Sequence, residues 1–414
     1  MALALIKSIP SFLKRDIDNI SLTVFYILCP LLSLPWVIKK SYHGEKWSQL
    51  LLSIFIGLVC ILAWPPQGDL YRHYVDYFQI KDKSLEYVFT YYFNGDYMFR
   101  ISQLLAGKLD LGFELVRLIT ITLSYYMLFN IYNKLKNHGI YQKFSVSFFI
   151  VVILSVPFIY VLRGIRYGFS MMIISYYILK RFVVGSKNWR DFILLLLALF
   201  THFGSLWIIL FCLSSPIVPN RVPKWIVMGV IICACIISTF AADLVQMIPV
   251  GIVGQRAIEM YTIGGAAKNH LVGLNFFGLL TEKSVELIII LYIFIAIIYI
   301  PYNKETKILF CSIIFWFFTF SLFEINRRVG IPIYIVGGIM AFKYIALSSC
   351  VRKLILTVLI TTSLLVGISY WRMYLISNIA YIIAPLPVSI AQRYSYEWIK
   401  ENVDSMGPLK IYKD

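Results

Sequence analysis

Apolar residues recur in blocks along the whole chain, near 20–38, 48–64, 111–133, 144–162, 166–182, 191–216, 225–242, 284–300, 308–323, 329–347 and 354–371. About 20 such residues cross the hydrocarbon layer of a bilayer as a helix. Of 414 residues, 60% are hydrophobic and 14% charged, against about 45–50% and about 25% in soluble proteins. That balance excludes a soluble enzyme, a disordered chain and a secreted disulfide scaffold. The expected fold class is all-α: a polytopic integral membrane protein of about 11 membrane spans plus a re-entrant hairpin.

The net charge of +17 arises from 38 Lys plus Arg against 21 Asp plus Glu. In a soluble protein it would suggest nucleic acid. Here the excess lies in short loops between apolar blocks, where it marks cytoplasmic sidedness, and no nucleic-acid partner is expected. The seven cysteines, at 29, 60, 212, 233, 235, 311 and 350, sit in or beside apolar blocks without zinc spacing, and read as small core residues.

Placing Lys39/Lys40/Lys46, Lys134/Lys136/Lys143, Lys180/Arg181/Lys187/Arg190 and Arg352/Lys353 inside puts 65–110 and the 163–166 corner outside. Strict alternation fails at 191–216, because a single crossing there would send Arg352/Lys353 to the wrong side. Thr201-His202-Phe203-Gly204 interrupts that block and leaves two arms too short to span. A re-entrant hairpin with His202 at its tip returns every later basic loop to the cytoplasm. The inside loops then hold 17 of the 38 basic residues and 3 of the 21 acidic ones. A single long, tilted helix over 191–216 is the competing arrangement.

Three parts are expected: an interfacial amphipathic segment over 1–19, a polytopic domain over 20–371 with outer-face loops 65–110 and 243–283, and an outer-face tail over 372–414. No period of 20–50 residues repeats and the halves show no similarity, which counts against transporter folds built from duplicated halves.

An ionisable group at membrane depth costs about 2.5–3.5 kcal/mol on insertion scales, so each is a functional candidate. Four clusters gather toward the outer side. In Gly68-Asp69-Leu70-Tyr71-Arg72-His73-Tyr74-Val75-Asp76-Tyr77, helical spacing puts Asp69, Arg72, His73 and Asp76 on one face with Tyr71, Tyr74 and Phe78 flanking it. The aromatics suit sugar stacking or the headgroup belt. In Arg163-Gly164-Ile165-Arg166, two guanidinium groups at i and i+3 suit bidentate phosphate recognition, or snorkel at the boundary. His202 is suited to act as base or acid, or to rest as a hydrogen-bonded core residue. Phe323-Glu324-Ile325-Asn326-Arg327-Arg328 lets Glu324 neutralise one arginine while the other meets a ligand, and the sequence does not say which. No histidine has metal-ligand spacing to His202, so neither metal nor cofactor is expected.

In this order, Gly68-Asp69-x-Tyr71, Arg163-to-Arg166, Phe200-Thr201-His202-Phe203 and Arg327/Arg328 resemble the EpsG-type and Wzy-type polysaccharide polymerases of bacterial envelopes. The resemblance covers roughly residues 50–345; the first 19 residues and the tail after 371 are departures from it. It implies a GT-C-like membrane glycosyltransferase of the inner membrane with its active site facing the periplasm. Its partners would be undecaprenyl-pyrophosphate-linked glycan donor and acceptor, membrane lipid and a chain-length regulator protein. Arg163 and Arg166, with Arg327 or Arg328, would then bind the donor pyrophosphate. His202 or Asp69 would deprotonate the acceptor hydroxyl, while Tyr71, Arg72 and Glu324 line the substrate path. An O-antigen ligase using the same donor is the alternative enzyme. A lipid-linked-oligosaccharide flippase, with no covalent chemistry, is the alternative of another class.

Overall fold

The computed structural model describes residues 11–63, 69–91, 96–157, 161, 165–247, 276–345, 348–391 and 394–403. Helices account for nearly all of them, and no strand occurs among the described residues. The chain divides into two compact units. One comprises Met1–Asp82, Leu105–Asn130 and Tyr370–Asp414; the other comprises Lys83–Leu104 and Ile131–Ser369.

In the first unit the helix Ser11–Leu28 stops two residues before Pro30, and a second helix runs Pro30–Tyr42. The block expected to span over 20–38 is therefore two helices. Pro30 carries no N–H, and its ring would strike the carbonyl four residues back. Cys29 accordingly leaves helical geometry, with φ −143° and ψ 75°. The segment expected to end at 19 continues without interruption into the first of these helices. Lys46–Ala63 contributes Leu58, Ile61 and Leu62 to a core closed by Leu118 of Phe113–Leu135, with Tyr381, Ile382, Leu386 and Ile390 against it. Gly57 makes this close approach feasible, since a Cβ there would lie 2.8 Å from Leu118 Cδ1.

Helix Asp69–Ile80 of this unit does not present one continuous polar face. His73 and Tyr74 turn inward, each 1% exposed, while Arg72 stays exposed. Tyr74 donates its hydroxyl proton to Glu114 Oε1 at 2.8 Å and accepts from Arg117 Nη1 at 3.3 Å. The tail joins this network, for the Tyr394 N–H donates to the same Glu114 oxygen at 3.0 Å. Phe78 packs on Tyr396, in the short helix Tyr396–Asn402. One helix runs Ser349–Ile383 through position 371, with no proline before Pro385 to stop it.

The second unit is built on Ile165–Ile178 and Phe323–Ile345, which pack side by side, with Phe192–Thr201 against the former and Phe276–Tyr299 against the latter. Small residues let the last pair close, as in membrane helix packing. A Cβ on Gly330 would lie 2.6 Å from Ile289 Cδ1, and one on Gly338 would lie 2.9 Å from the Tyr292 hydroxyl.

Arg166 lies in the first turn and Arg328 in the second turn of two of these helices, and contacts given below bring both to His202. The two helices therefore run parallel away from His202. Their far ends carry Lys180, paired with Asp191, and Lys343, bound to Glu305 at 2.6 Å. Lys307 Nζ donates to the Val218 carbonyl at 3.0 Å, so Val218 sits at that same far, basic end. The 191–216 block thus begins and ends at one end of the unit and turns at the other. Its two arms are Phe192–Thr201 and Leu206–Ser214, ten and nine residues. At 1.5 Å per residue each arm is roughly 15 Å long, half a hydrocarbon layer.

Ile193, Leu196, Phe200, Phe203, Trp207 and Leu210 on this segment are 47–58% exposed. A contiguous apolar surface of this kind is a lipid or partner contact rather than a face for water. By length and apolarity, Phe113–Leu135 and Ile325–Ile345 are able to cross a membrane among the described residues. Ser145–Leu154 and Lys307–Phe318 are shorter apolar helices. The molecule is a helical membrane protein.

Candidate active site

His202 interrupts two helices and owes its place to three local contacts. Its backbone is extended, φ −154° and ψ 111°. Its N–H closes the preceding helix on the Ala198 carbonyl at 3.0 Å, and its carbonyl accepts from the Ser205 N–H at 3.0 Å to start a 3₁₀ turn. Ser170 of the Ile165–Ile178 helix donates its hydroxyl to that same Ala198 carbonyl at 2.8 Å. The broken end is thereby fixed to the helix that carries Arg166. Gly204 follows two residues later, and a Cβ on it would lie 2.7 Å from His202 Nε2.

Around His202 the second unit gathers charged side chains from three further elements. Asp96 directly precedes the helix Tyr97–Lys108. Its Oδ1 lies 3.2 Å from His202 Nδ1 and accepts from the Phe203 N–H at 3.0 Å. Its Oδ2 accepts from Arg166 Nη1 at 2.6 Å. Arg328 Nη1 reaches His202 Nε2 at 3.4 Å. Each guanidinium also lies over a ring, Arg166 over Phe99 at 6.0 Å and Arg328 over Tyr167 at 5.1 Å. Stacking of this kind favours a cation partly removed from water and holds its plane in place.

The carboxylate is the electrostatic centre of the cluster. Burial, with a side-chain exposure of 7%, would raise its pKa. The His202 hydrogen bond, the Arg166 guanidinium and the Phe203 N–H outweigh that effect and hold it at about 2. Asp96 is thus ionised throughout the physiological range. Arg166 remains partly accessible, and its buried Nε meets no acceptor among the described residues. Ser205 Oγ, beside the turn and fully buried, is likewise without a described partner.

Of the residues singled out from sequence, Arg166, His202 and Arg328 come together here. Arg327 is buried, 8% exposed, and neighbouring positions on a helix point about 100° apart. Arg163 and the side chains of Asp69 and Glu324 lie outside the described residues. Tyr71, half-buried, and Arg72, exposed, belong to the Asp69–Ile80 helix of the first unit.

Asp96 was not singled out by sequence. It is one acid in a long polar segment, and its partner His202 is 106 residues away. The one local signal is position: an aspartate at the start of a helix in the 65–110 segment, where an acid ordinarily serves the helix N-terminus. Its side chain instead turns to the hairpin.

Carboxylate, imidazole and two guanidinium groups at hydrogen-bonding range can orient a base and bind an anion beside it. Neither curated proteins nor solved structures offer a significant match to the chain. The EpsG family model matches residues 46–383, which takes in Arg166, His202 and Arg328 together with Asp96, and runs past the end of the expected last span. The chain belongs to the EpsG family.

Proposed function

We propose that this protein is a membrane glycosyltransferase that polymerises undecaprenyl-pyrophosphate-linked repeat units into a surface polysaccharide, at the outer face of the inner membrane. The family points to an exopolysaccharide or O-antigen polymerase in general terms. The observation that carries the finer reading is the convergence of Arg166 and Arg328 on the Asp96–His202 pair, at the end of the second unit opposite its basic residues.

In the proposed reaction the acceptor hydroxyl oxygen attacks the anomeric carbon of the donor. The carbon–oxygen bond to pyrophosphate breaks, and its electron pair leaves with undecaprenyl pyrophosphate. The hydroxyl proton passes to His202. Charge develops on the departing phosphate oxygen, and fixed guanidinium donors there are the largest help a protein gives such a step. Arg166 and Arg328, with Arg163 beside them in sequence and Arg327 next on the helix, supply those donors. His202 rather than Asp69 is the base we favour, because its imidazole already stands between a carboxylate and an arginine. Asp69, Tyr71, Arg72 and Glu324 belong to the proposed acceptor path. The arms of the 191–216 segment form the re-entrant hairpin of a GT-C-like fold of about 11 spans.

The test is the surface-glycan banding of a host strain with the gene deleted, then restored with wild type, Arg166→Ala or His202→Gln. A glycan arrested at one repeat, and lengthened only by the wild type, supports the polymerase. Loss of even the single repeat removes it in favour of a flippase or ligase. Unchanged O-antigen banding moves the same comparison to capsule and secreted polysaccharide.

A further inference from the structure

His202 touches charge on both ring nitrogens, and the two contacts make opposite demands. A guanidinium nitrogen can only donate, and a carboxylate can only accept. Arg328 Nη1 at 3.4 Å from Nε2 therefore requires a lone pair on Nε2, and Asp96 Oδ1 at 3.2 Å from Nδ1 requires a proton on Nδ1. An imidazolium would set Nε2–H against a second donor. The arrangement specifies a neutral ring protonated on Nδ1.

Asp96 is itself fixed from three directions. The Phe203 N–H and Arg166 Nη1 hold its two oxygens, and the following helix starts on its carbonyl, which accepts from the Arg100 N–H at 3.1 Å. The groups facing His202 are Asp96, Arg166, Arg328 and the Tyr167 ring, whose centroid is 6.3 Å away. Asp96 is the one carboxylate among these. No other described group can accept the Nδ1 proton in its place.

We propose that Asp96 is the positioning residue of this site: it fixes the His202 tautomer so that Nε2 is the atom that takes the acceptor proton, and through its other oxygen it tethers Arg166 to the same cluster. One carboxylate thereby aligns the base with one of the anion-binding guanidinium groups. When a phosphate oxygen takes over Arg328, Nε2 is released toward the acceptor hydroxyl, so base and donor site act together. The base role rests on the polymerase reading, whereas the tautomer does not.

The experiment uses the full chain in lipid bilayers, labelled with ¹⁵N at histidine, with His202→Gln assigning the signal among the five histidines. Two-bond nitrogen–proton correlations separate Nδ1–H from Nε2–H rings. The expected result is Nδ1–H in the wild type and in Asp96→Glu, and loss of that form in Asp96→Asn. In cells, Asp96→Asn should lower polymer yield by about 100-fold or more, the scale of general-base catalysis, while Asp96→Glu retains most of it. A wild-type His202 protonated on Nε2 overturns the inference. So does an Asp96→Asn protein that keeps both Nδ1–H and full polymer. If the tautomer follows Asp96 but polymer is indifferent to His202→Gln, the orientation stands and the base role in the polymerase reading falls.

Discussion

A Cβ on Gly204 would come within 2.7 Å of His202 Nε2, 3.3 Å of its Cδ2 and 3.4 Å of its Cε1. The space that a side chain at 204 would need is the space the imidazole occupies. Gly204→Ala must therefore displace the ring from Asp96, from Arg328 or from both. Overpacking of this kind costs about 1–3 kcal/mol where it cannot relax, but here the ring can swing aside. We expect polymer yield to fall about 100-fold, the low end of what an aligned base contributes. The thermal midpoint in detergent should move little. A protein with normal polymer would show that the Nε2 position is not critical.

Arg166→Lys tests the guanidinium geometry. An ammonium group can keep an ion pair with Asp96, but it cannot do so and present a second, coplanar donor to a phosphate. Expression and melting should stay near wild type, while polymer falls toward the level of Arg166→Ala. Full activity in the lysine variant would leave only point charge as the role of Arg166.

The depressed pKa of Asp96 has a thermodynamic sign. Its folded value of about 2 lies below the ordinary 3.8, so the unfolded chain binds the proton more readily. The stabilisation is complete above pH of about 4 and is lost as the pH falls toward 2. At about 1.4 kcal/mol per unit, it amounts to about 2–3 kcal/mol. The melting advantage of wild type over Asp96→Asn should be flat from pH 7 to about 4.5 and shrink below 4. An advantage that grows on acidification would reverse the assignment.

In the first unit, Tyr74→Phe removes the hydroxyl that links Glu114 to Arg117. Arg117 is fully buried and Glu114 nearly so. Both lose a partner without gaining water, which costs about 1–3 kcal/mol for a buried polar group. A lowered melting temperature, with the Asp96–His202 tautomer unchanged, is the expected outcome. Truncation before Tyr394 should act in the same direction, since it withdraws the other donor to Glu114.

The ease with which parts of this molecule were read from sequence follows the range of the forces involved. The His202 break is written locally, as a polar pair inside an apolar run. Arg166 and Arg328 stood out because arginine at the edge of an apolar block is costly. Asp96 carries no such mark, being an acid among other polar residues whose role is decided by a tertiary contact. Asp69 and Tyr71 drew notice for the opposite reason, a compact motif. Boundaries failed where hydropathy averages over chemistry that acts at single residues. Pro30 divides an apolar block that a hydropathy window sees as continuous, and the absence of any breaker carries the Ser349–Ile383 helix past 371.

The turn at His202 also settles a matter of parity. The segment leaves from the end at which it began, and Phe323–Ile345 starts beside His202. Had the same residues passed straight through, every subsequent helix would be inverted. Arg328 would then be delivered to the opposite end of the unit, away from His202. The residue that would perform the chemistry is thus also the point at which the segment reverses direction within the unit. An insertion that straightens the turn would separate the two halves of the site without altering a single residue in it.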